Sequence, residues 1–359
     1  MPAATDFKVS IHYKQILSIA LPIAFAIMVP QINYITNNIF LGRLNEEALA
    51  VAGITGVYYL IFAVIGNGLN NGLQSLIARR AGENRIEDIG NLFAQGVRIA
   101  MLLSIIGIAI TWFIAPVILR YSIHNEVTVN MAISFLRIRI VGLVFLYLYQ
   151  MRNAVLVGTN QSKYLIIGTA TEAIVNIILD YGFIYGKLGL PHLGFNGAAY
   201  ASVIAEGCGL FSIFLVIHLK GIDKKLMLFK NFNLDKQSFK LILVQSSPLI
   251  AQYGISIITW EFFYILIEHH GSRALAISNT MRNIFGFFGC FTWAFAATAN
   301  TMVSNIIGQG LSHKVVELIH NIIRLSLIFS ITVGIIINIF PAVVLSIYGQ
   351  DVSFITEAI

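Results

Sequence analysis

Asp180 is the residue of this sequence most able to do chemistry, because it is an acidic side chain inside a long apolar stretch. Asn176 precedes it by four residues and Glu172 by eight, so a helix places all three side chains on one face. An ionisable group inside a membrane is costly unless it is paired or faces water, which makes it a functional candidate. A carboxylate beside an amide supplies oxygen ligands that suit a proton or a small hard cation such as Na⁺.

Other polar side chains are expected at the depth of Asp180. Counting about 1.5 Å of rise per residue along each helix places Asn37 and Ser202 in the same layer, with Glu206 one turn deeper. The sequence therefore predicts a cation-binding site formed by Asp180, Asn176, Asn37 and Ser202. The alternative interpretation is that Asn176 and Asp180 only tie helices together.

Four charged residues inside apolar runs are open to two interpretations. Glu261 and Arg282 either pair with each other across neighbouring helices or line a substrate cavity. Glu206 and Glu172 are open to the same choice. Each interpretation requires that the side chain faces protein or water and not lipid.

No constellation typical of an enzyme is found. The eight histidines are scattered near loop ends. Glu268, His269 and His270 are adjacent, but neighbouring side chains on a helix diverge by about 100°, so they do not converge on a metal. We expect no enzyme, no cofactor and no metal site, apart from Na⁺ at Asp180.

The composition predicts a helical membrane protein. Of 359 residues, 57% are hydrophobic and only 11% are charged, too few to cover a water-facing surface. The apolar runs lack the alternation of barrel strands, and lipid offers the backbone no hydrogen-bond partner, so each span must be a helix. Nine runs are long enough to cross about 30 Å of hydrocarbon: 16–41, 52–77, 95–118, 132–157, 164–186, 195–219, 241–267, 274–303 and 321–348.

The sequence repeats itself at an offset of 226 residues. Pro22 and Gly82 recur as Pro248 and Gly308, and the tripeptide at 48–50 recurs at 274–276. Six helices separate the partners, so both copies enter the membrane in the same direction. This predicts two parallel lobes related by a pseudo-two-fold along the membrane normal.

The repeat divides the chain into four segments. We expect a cytoplasmic N-terminal segment at 1–15, a six-helix N-lobe at 16–219, a cytoplasmic linker at 220–240 and a C-lobe at 241–359. The C-lobe would hold helices seven to nine and the start of the tenth. We therefore expect a second lobe that is incomplete and a chain truncated after its ninth membrane helix.

Lysine and arginine are concentrated on one side of the predicted spans, which places the N-terminus in the cytoplasm. Arg139 falls among the few basic residues assigned to the opposite side. The net charge of +6 is a topology signal and does not predict nucleic-acid binding. Pro22 and Pro30 lie inside the first span, where each weakens the helix; a hinge and a purely structural bend are both open.

Several ordered motifs resemble those of MATE (multidrug and toxic compound extrusion) transporters, from about Ile16 to the end. They are Ala20-Leu21-Pro22, Phe40-Leu41-Gly42-Arg43-Leu44, the stretch from Gln74 to Gly82, Asn176-Ile177-Ile178-Leu179-Asp180 and the stretch from Gly194 to Ser202.

The resemblance implies a twelve-helix fold with a central cleft, which exports mostly cationic, amphipathic compounds in exchange for H⁺ or Na⁺. It also implies a cation site at Asp180, Asn176, Ser202 and position 37. The family usually has aspartate at position 37, whereas this chain has Asn37. We expect a monomer in the cell membrane, with a small-molecule substrate and the bilayer as partners.

Two alternatives to drug export stay open. A flippase-like exporter of lipid-linked or polar metabolites would need several deep basic residues for phosphate groups. The sequence offers few, chiefly Arg98, Arg282 and Arg324. A degenerate, non-transporting fragment is the other alternative, suggested by Asn37 and the early stop.

Overall fold

The computed structural model describes residues 7–123, 125–230, 233–268 and 272–342, and these are mostly helical. Two long helices open the fold, α1 (Tyr13–Leu44) and α2 (Glu46–Gly82). Asn45 alone separates them, in an extended conformation that ends α1. Its side-chain Oδ1 accepts a hydrogen bond of 2.6 Å from the N–H of Ala48 and so caps α2.

Six further helices complete the first copy of the repeat: α3 (Ile86–Phe113), α4 (Ala115–Ser122), α5 (Glu126–Arg139), α6 (Gly142–Gly158), α7 (Leu165–Tyr185) and α8 (Phe195–Leu219). The span predicted at 95–118 begins earlier, because Glu87 and Asp88 favour a helix N-terminus at Ile86. It also ends earlier, where Pro116 starts the separate helix α4. The span predicted at 132–157 is the pair α5 and α6, bent by 43°.

The second copy contains α10 (Lys236–Glu268), α11 (Ser272–Gly308) and α12 (Val315–Ile339), preceded by the short helix α9 (Ile222–Lys225). The predicted linker at 220–240 is too long, because Asp235 caps α10. Its Oδ1 accepts from the N–H of Gln237 at 3.0 Å, and its Oδ2 accepts from the hydroxyl of Ser238 at 2.6 Å. The predicted start of a tenth helix lies outside the described residues.

The helices of the two copies match at the 226-residue offset found in the sequence. Helices α2 and α11 begin and end at corresponding residues, and α3 and α12 end at corresponding residues. The contact between α2 and α11 is reciprocal. Gln74 Nε2 donates to the carbonyl of Ala297 at 3.1 Å, and its repeat partner Asn300 Nδ2 donates to the carbonyl of Asn71 at 3.0 Å. This is the symmetry of a two-fold axis between α2 and α11, as the parallel repeat predicts.

Seven of the described helices are long and apolar enough to cross a membrane, or eight if the bent pair α5 and α6 is one span. The nine predicted apolar runs differ from these helices in two places. The first is the break between α5 and α6. The second is α11, which has 37 residues but carries buried polar side chains, among them Thr301 and Asn305, toward the other copy.

One end of the bundle is fastened by a cluster of hydrogen bonds that we call the clasp, formed by Phe7, Val9, Ala78, Asn305 and Gln309. Asn305 Oδ1 accepts from the N–H of Val9 at 3.1 Å, while its Nδ2 donates to the carbonyls of Phe7 at 3.1 Å and Ala78 at 3.0 Å. Gln309 Nε2 donates to the carbonyl of Val9 at 3.0 Å. The clasp joins the N-terminal segment, α2 and α11.

Glycines let the backbones meet beside the clasp. A side chain at Gly82 would collide with the carbonyl oxygen of Asn305, and one at Gly308 would collide with that of Arg79. The two contacts are related by the repeat. Only residues without Cβ permit this approach.

Both prolines of α1 are accommodated within one continuous helix, Tyr13–Leu44. Pro22 leaves the carbonyl of Ser18 without its usual donor, and the hydroxyl of Ser162 approaches that oxygen at 3.5 Å. The repeat partner Pro248 frees the carbonyl of Val244, which accepts from the hydroxyl of Ser247 at 3.4 Å. The hinge role of Pro22 and Pro30 stays a prediction.

Candidate functional site

Helices α7 and α8 pack together more extensively than any other described pair, because glycines remove side chains from their contact. A Cβ atom at Gly197 of α8 would stand 2.7 Å from the backbone carbon of Phe183. One at Gly209 would stand 3.3 Å from the carbonyl oxygen of Gly168. Polar side chains on these helices are therefore held between two closely packed backbones.

Asp180 lies on α7 and is fully buried, with an exposed fraction of 0%. Neither carboxylate oxygen accepts a hydrogen bond from the part of the chain that the structure describes. Asn176, one turn earlier, is also buried, and its Nδ2 lies 3.4 Å from the hydroxyl oxygen of Ser202 on α8. Three of the four predicted cation ligands are thus on one pair of facing helices.

Asn37 lies on α1 at the level of Asp180. Helices α1 and α7 run in the same direction, since their N-terminal ends also meet. Near their other ends, the ring of Phe40 is 6.5 Å from that of Tyr181, and the hydroxyl of Tyr185 donates to the carbonyl of Phe40 at 2.7 Å. Asn37 precedes Phe40 by three residues, and its buried Oδ1 has no donor among the described residues.

Glu206 forms a buried ion pair with Arg139 at the end of α5. The pair is bidentate, with Nη2 to Oε1 at 2.6 Å and Nη1 to Oε2 at 2.9 Å. Tyr59 donates its hydroxyl to Glu206 Oε1 at 3.2 Å and places its ring 3.8 Å below the guanidinium carbon. A side chain at Gly142 would collide with this pair, so the glycine at the start of α6 provides the room for it.

Glu172 lies on α7 one turn before Asn176. A Cβ atom at Gly209 would stand 3.1 Å from the Cβ of Glu172 and 3.4 Å from its Oε2, so the side chain occupies the space that this glycine leaves. It interacts electrostatically with Arg139, Glu206 and Tyr149. We call the whole set, Asp180, Asn176, Ser202, Glu172, Glu206, Arg139 and Tyr59, the polar ladder.

Arg139 is a member of the ladder that the sequence analysis does not predict as a site residue. Its side chain is only 15% exposed, and its assignment to the side opposite the N-terminus stays a prediction. The signal was present, because Arg139 falls inside the predicted span 132–157. Its partner was not predictable, since Glu206 is 67 residues away in the chain.

The predicted contact between Glu261 and Arg282 of the second copy lies outside the described residues. The side chain of Glu261, on α10, lies outside them, and so does that of Glu268, with His269 and His270. Arg282 lies on α11 and is exposed. Their pairing stays a prediction.

A second polar region, which sequence reasoning missed, lies at and near the contact between the two copies. We call it the amide belt: Asn67, Asn70, Asn71, Gln150 and Asn153. Asn71 Nδ2 donates to the hydroxyl of Tyr253 at 2.7 Å, and Gln150 Nε2 donates to Asn67 Oδ1 at 3.0 Å. The three asparagines at 67, 70 and 71 of one apolar run were the available signal.

Comparisons with known proteins agree with this architecture. The MatE family profile matches residues 22–182 and 248–359. A probable multidrug resistance protein NorM from Synechocystis sp. is 23% identical over 348 residues, which are 95% of this chain and 74% of that protein.

Solved structures share the fold. A crystal structure of MATE in complex with MaL6 gives a TM-score of 0.91 at 19% identity over 100% of this chain and 79% of its own. A transporter of the MOP superfamily from Pyrococcus furiosus gives 0.87 at 18% identity over 99% and 77%. The two segments matched by the profile fall on the two copies of the repeat, and the chain belongs to the MatE family of membrane transporters, which are not enzymes.

Proposed function

We propose that this protein is an antiporter that exports cationic or amphipathic organic compounds in exchange for H⁺ or Na⁺, with Asp180 as its coupling carboxylate. The observation that carries the proposal is the burial of Asp180 without a hydrogen-bond donor on either oxygen among the described residues. Such a carboxylate needs a cation to offset its desolvation. In a transporter, an exchangeable cation meets that need.

The neighbours of Asp180 suit such an ion. Asn176, Ser202 and Asn37 offer neutral oxygens beside one negative charge, a ligand set that fits Na⁺ and also tolerates a protonated carboxyl group. Asn37 contributes an oxygen but cannot take up a proton. The site therefore holds one titratable group where the resemblance implied two.

The polar interior supports a cationic substrate. Buried side-chain oxygens without a donor in the described chain include amide oxygens of Asn33, Asn37, Asn70, Gln150 and Asn153. These atoms accept hydrogen bonds, so a ligand that satisfies them must donate or carry positive charge. The relative from Synechocystis sp. is named as a multidrug resistance protein, which supports export of such compounds.

The same interior argues against the flippase-like alternative. A phosphate-bearing lipid would need basic side chains that are free to bind it, and Arg139 is already paired with Glu206. Pocket polarity is a meaningful criterion within this fold, because the transporter from Pyrococcus furiosus is described as having a binding pocket of reversed polarity that suggests a different function.

We also propose that the N-terminus is cytoplasmic and that one chain transports alone. Arg79 and Arg80 in the last turn of α2, and Arg85 just after it, lie at the same end of the bundle as the N-terminal segment and support this orientation. The two copies face each other within a single chain through α2 and α11. A second chain is therefore not needed to form the central contact.

The test is efflux of a cationic dye from proteoliposomes under imposed H⁺ or Na⁺ gradients. Asp180→Asn is expected to reduce gradient-driven efflux by at least about tenfold while the protein still inserts. Asp235→Asn is the matched control, because Asp235 caps α10 outside the apolar spans, and it should retain efflux. Unchanged efflux in Asp180→Asn would falsify the assignment.

Asn37→Asp tests the same site by adding a carboxylate, whereas Asp180→Asn removes one. Restoring a carboxylate at the level of Asp180 is expected to steepen the dependence of efflux on the ion gradient, because a second negative charge favours cation binding. Dependence on pH and on sodium concentration that equals the wild type would contradict a role for position 37.

A further inference from the structure

The charges of the polar ladder do not balance. Three carboxylates, those of Asp180, Glu172 and Glu206, face the single guanidinium of Arg139. The bidentate contact at 2.6 and 2.9 Å assigns that guanidinium to Glu206. One pair is matched, and two carboxylates are left without a partner of opposite charge.

Among the described residues, the surroundings of Glu172 contain no other cation that could pair with it. Its electrostatic neighbours are Arg139 from α5, Glu206 from α8 and Tyr149 from α6. No lysine, arginine or histidine of the described chain lies within ion-pair distance of Glu172. Asp180, on its own helix, carries the same sign. Glu172 therefore faces a pair that is already neutral and a second negative group.

A built site surrounds this carboxylate. Tyr149 is only 6% exposed, and its hydroxyl has no hydrogen-bond partner among the described residues. The Glu172 side chain packs against Gly209, whose Cβ position lies 3.1 Å from Glu172 Cβ and 3.4 Å from Glu172 Oε2. An unmatched hydroxyl oxygen and a carboxylate supply ligands for a proton or for Na⁺.

We propose that Glu172 is a second exchangeable cation site, so that the ladder takes up two monovalent cations in each cycle. One binds at Asp180 and the other at Glu172, with the Arg139–Glu206 pair fixed between α5 and α8. The two carboxylates are eight residues apart on α7, about 12 Å along the axis. Asn176 and Ser202 lie between them. This inference rests on the proposed exchange of H⁺ or Na⁺ at Asp180.

The arrangement also accounts for Asn37. The ladder has only one carboxylate at the level of Asp180. It still has two unpaired negative charges, because Glu172 supplies the second. The second titratable group is then carried two turns deeper along α7 and not on the neighbouring helix α1. The structural alternative is that Glu172 only helps to hold Arg139 in place, which would affect folding but not the number of ions.

The experiment measures the cation-to-substrate ratio in proteoliposomes, from the ion gradient that just balances an imposed gradient of a cationic dye. The wild type is expected to exchange two cations per dye molecule and Glu172→Gln one. Glu87→Gln is the matched control, since that side chain is 77% exposed at the start of α3, and it should keep the ratio of two. A wild-type ratio of one overturns the inference whether or not any variant folds.

The variants separate the two proposals. Loss of transport in Asp180→Asn, with a ratio of two in Glu172→Gln, overturns only the second site. Normal export in Asp180→Asn overturns the proposed function itself. Glu172→Asp keeps the charge on a shorter side chain, so we expect a ratio of two with a several-fold higher ion concentration at half-maximal efflux; an unaltered value counts against binding at Glu172.

Discussion

The clasp and the polar ladder are both buried polar regions, but they differ in how completely their groups are matched. Asn305 of the clasp is 0% exposed and uses both its Oδ1 and its Nδ2 in hydrogen bonds. Asp180 of the ladder is equally buried and uses neither oxygen with the described chain. A region whose buried polar groups all have hydrogen-bond partners is held in one conformation. A buried polar group without a partner has an unfavourable desolvation free energy, which a ligand that pairs with it can offset.

The two regions also lie at different places relative to the repeat. The clasp joins the two copies, so it acts on how they are oriented. The ladder lies within the first copy, on α2, α5, α7 and α8. Ion binding in the ladder can affect the orientation of the copies only if it changes the packing of helices that connect to the contact. Helix α2 is such a connection, because it carries Tyr59 of the ladder and Ala78 of the clasp.

Asp180→Asn should give the largest change and should separate function from stability. Gradient-driven transport is expected to fall by at least about tenfold, as above. Thermal stability in detergent is expected to rise, because an unpaired buried carboxylate becomes neutral. A lower melting temperature in this variant would show that the Asp180 carboxylate has a stabilising partner in the folded protein. The contrast between the clasp and the polar ladder would then be wrong.

Asn305→Ala should be the most destabilising change in the clasp. It removes the partner of three backbone groups, two of them on the N-terminal segment. We expect a loss of about 3 kcal/mol, since each buried group left unmatched costs about 1–3 kcal/mol and the cavity relaxes in part. Equilibrium unfolding in mixed micelles measures this. Asn321→Ala, which removes one 3.2 Å bond to Ile11, is the control and should cost less than half as much.

Gly82→Ala and Gly308→Ala should each destabilise the contact between the copies by about 2 kcal/mol, the usual cost of overpacking. The repeat predicts similar values for both. Gly289→Ala on α11 is the matched control, because nothing lies within 4 Å of its Cβ position, and it should be neutral or slightly stabilising. If the control costs as much as the other two, the loss reflects helix geometry and not contact between the copies.

The smallest predicted effect concerns Glu83, which follows α2 outside the apolar spans. Burial opposes its ionisation, but the hydrogen bonds and charges of Arg80, Arg79 and Arg85 outweigh it and lower the pKa of Glu83 below its ordinary value of 4.5. Its contribution to stability is therefore present above about pH 4.5 and is lost as the pH falls through the lowered value. We expect about 0.5 kcal/mol for these partly exposed pairs, which solvent still screens.

Thermal unfolding between about pH 3 and pH 6 compares Glu83→Gln with the wild type. The variant should lose stability at the upper end of this range and equal the wild type at the lower end. A difference that grows as the pH falls would have the wrong sign.

The repeat and the apolar runs allowed most of the fold to be predicted. The apolar runs and the repeat offset predict α1 and α2 and their repeat partners α10 and α11. Both signals can be read from the sequence alone, because they depend only on local hydrophobicity and on residue spacing. Helix ends were less predictable. The start of α10 depends on a single cap at Asp235, and the 43° bend between α5 and α6 lies within one predicted apolar run.

The candidate site was predictable where it follows helix periodicity and not where it depends on tertiary contacts. Glu172, Asn176 and Asp180 share a face of α7 because of their spacing alone. The assignment of Arg139 to Glu206, and hence the excess negative charge on Glu172 and Asp180, required the packing of α5 against α8. Helix periodicity predicts which residues share a face, but it does not predict which charged residues pair with each other.

The clasp also constrains the order in which this protein can fold. Val9 is synthesised well before its partner Asn305, which follows 296 residues later. At about 5–20 residues per second, the N-terminal segment waits some 15–60 s before that partner exists. During synthesis the first copy must therefore insert with this segment undocked, and the completion of α11 is the step that can lock the two copies together.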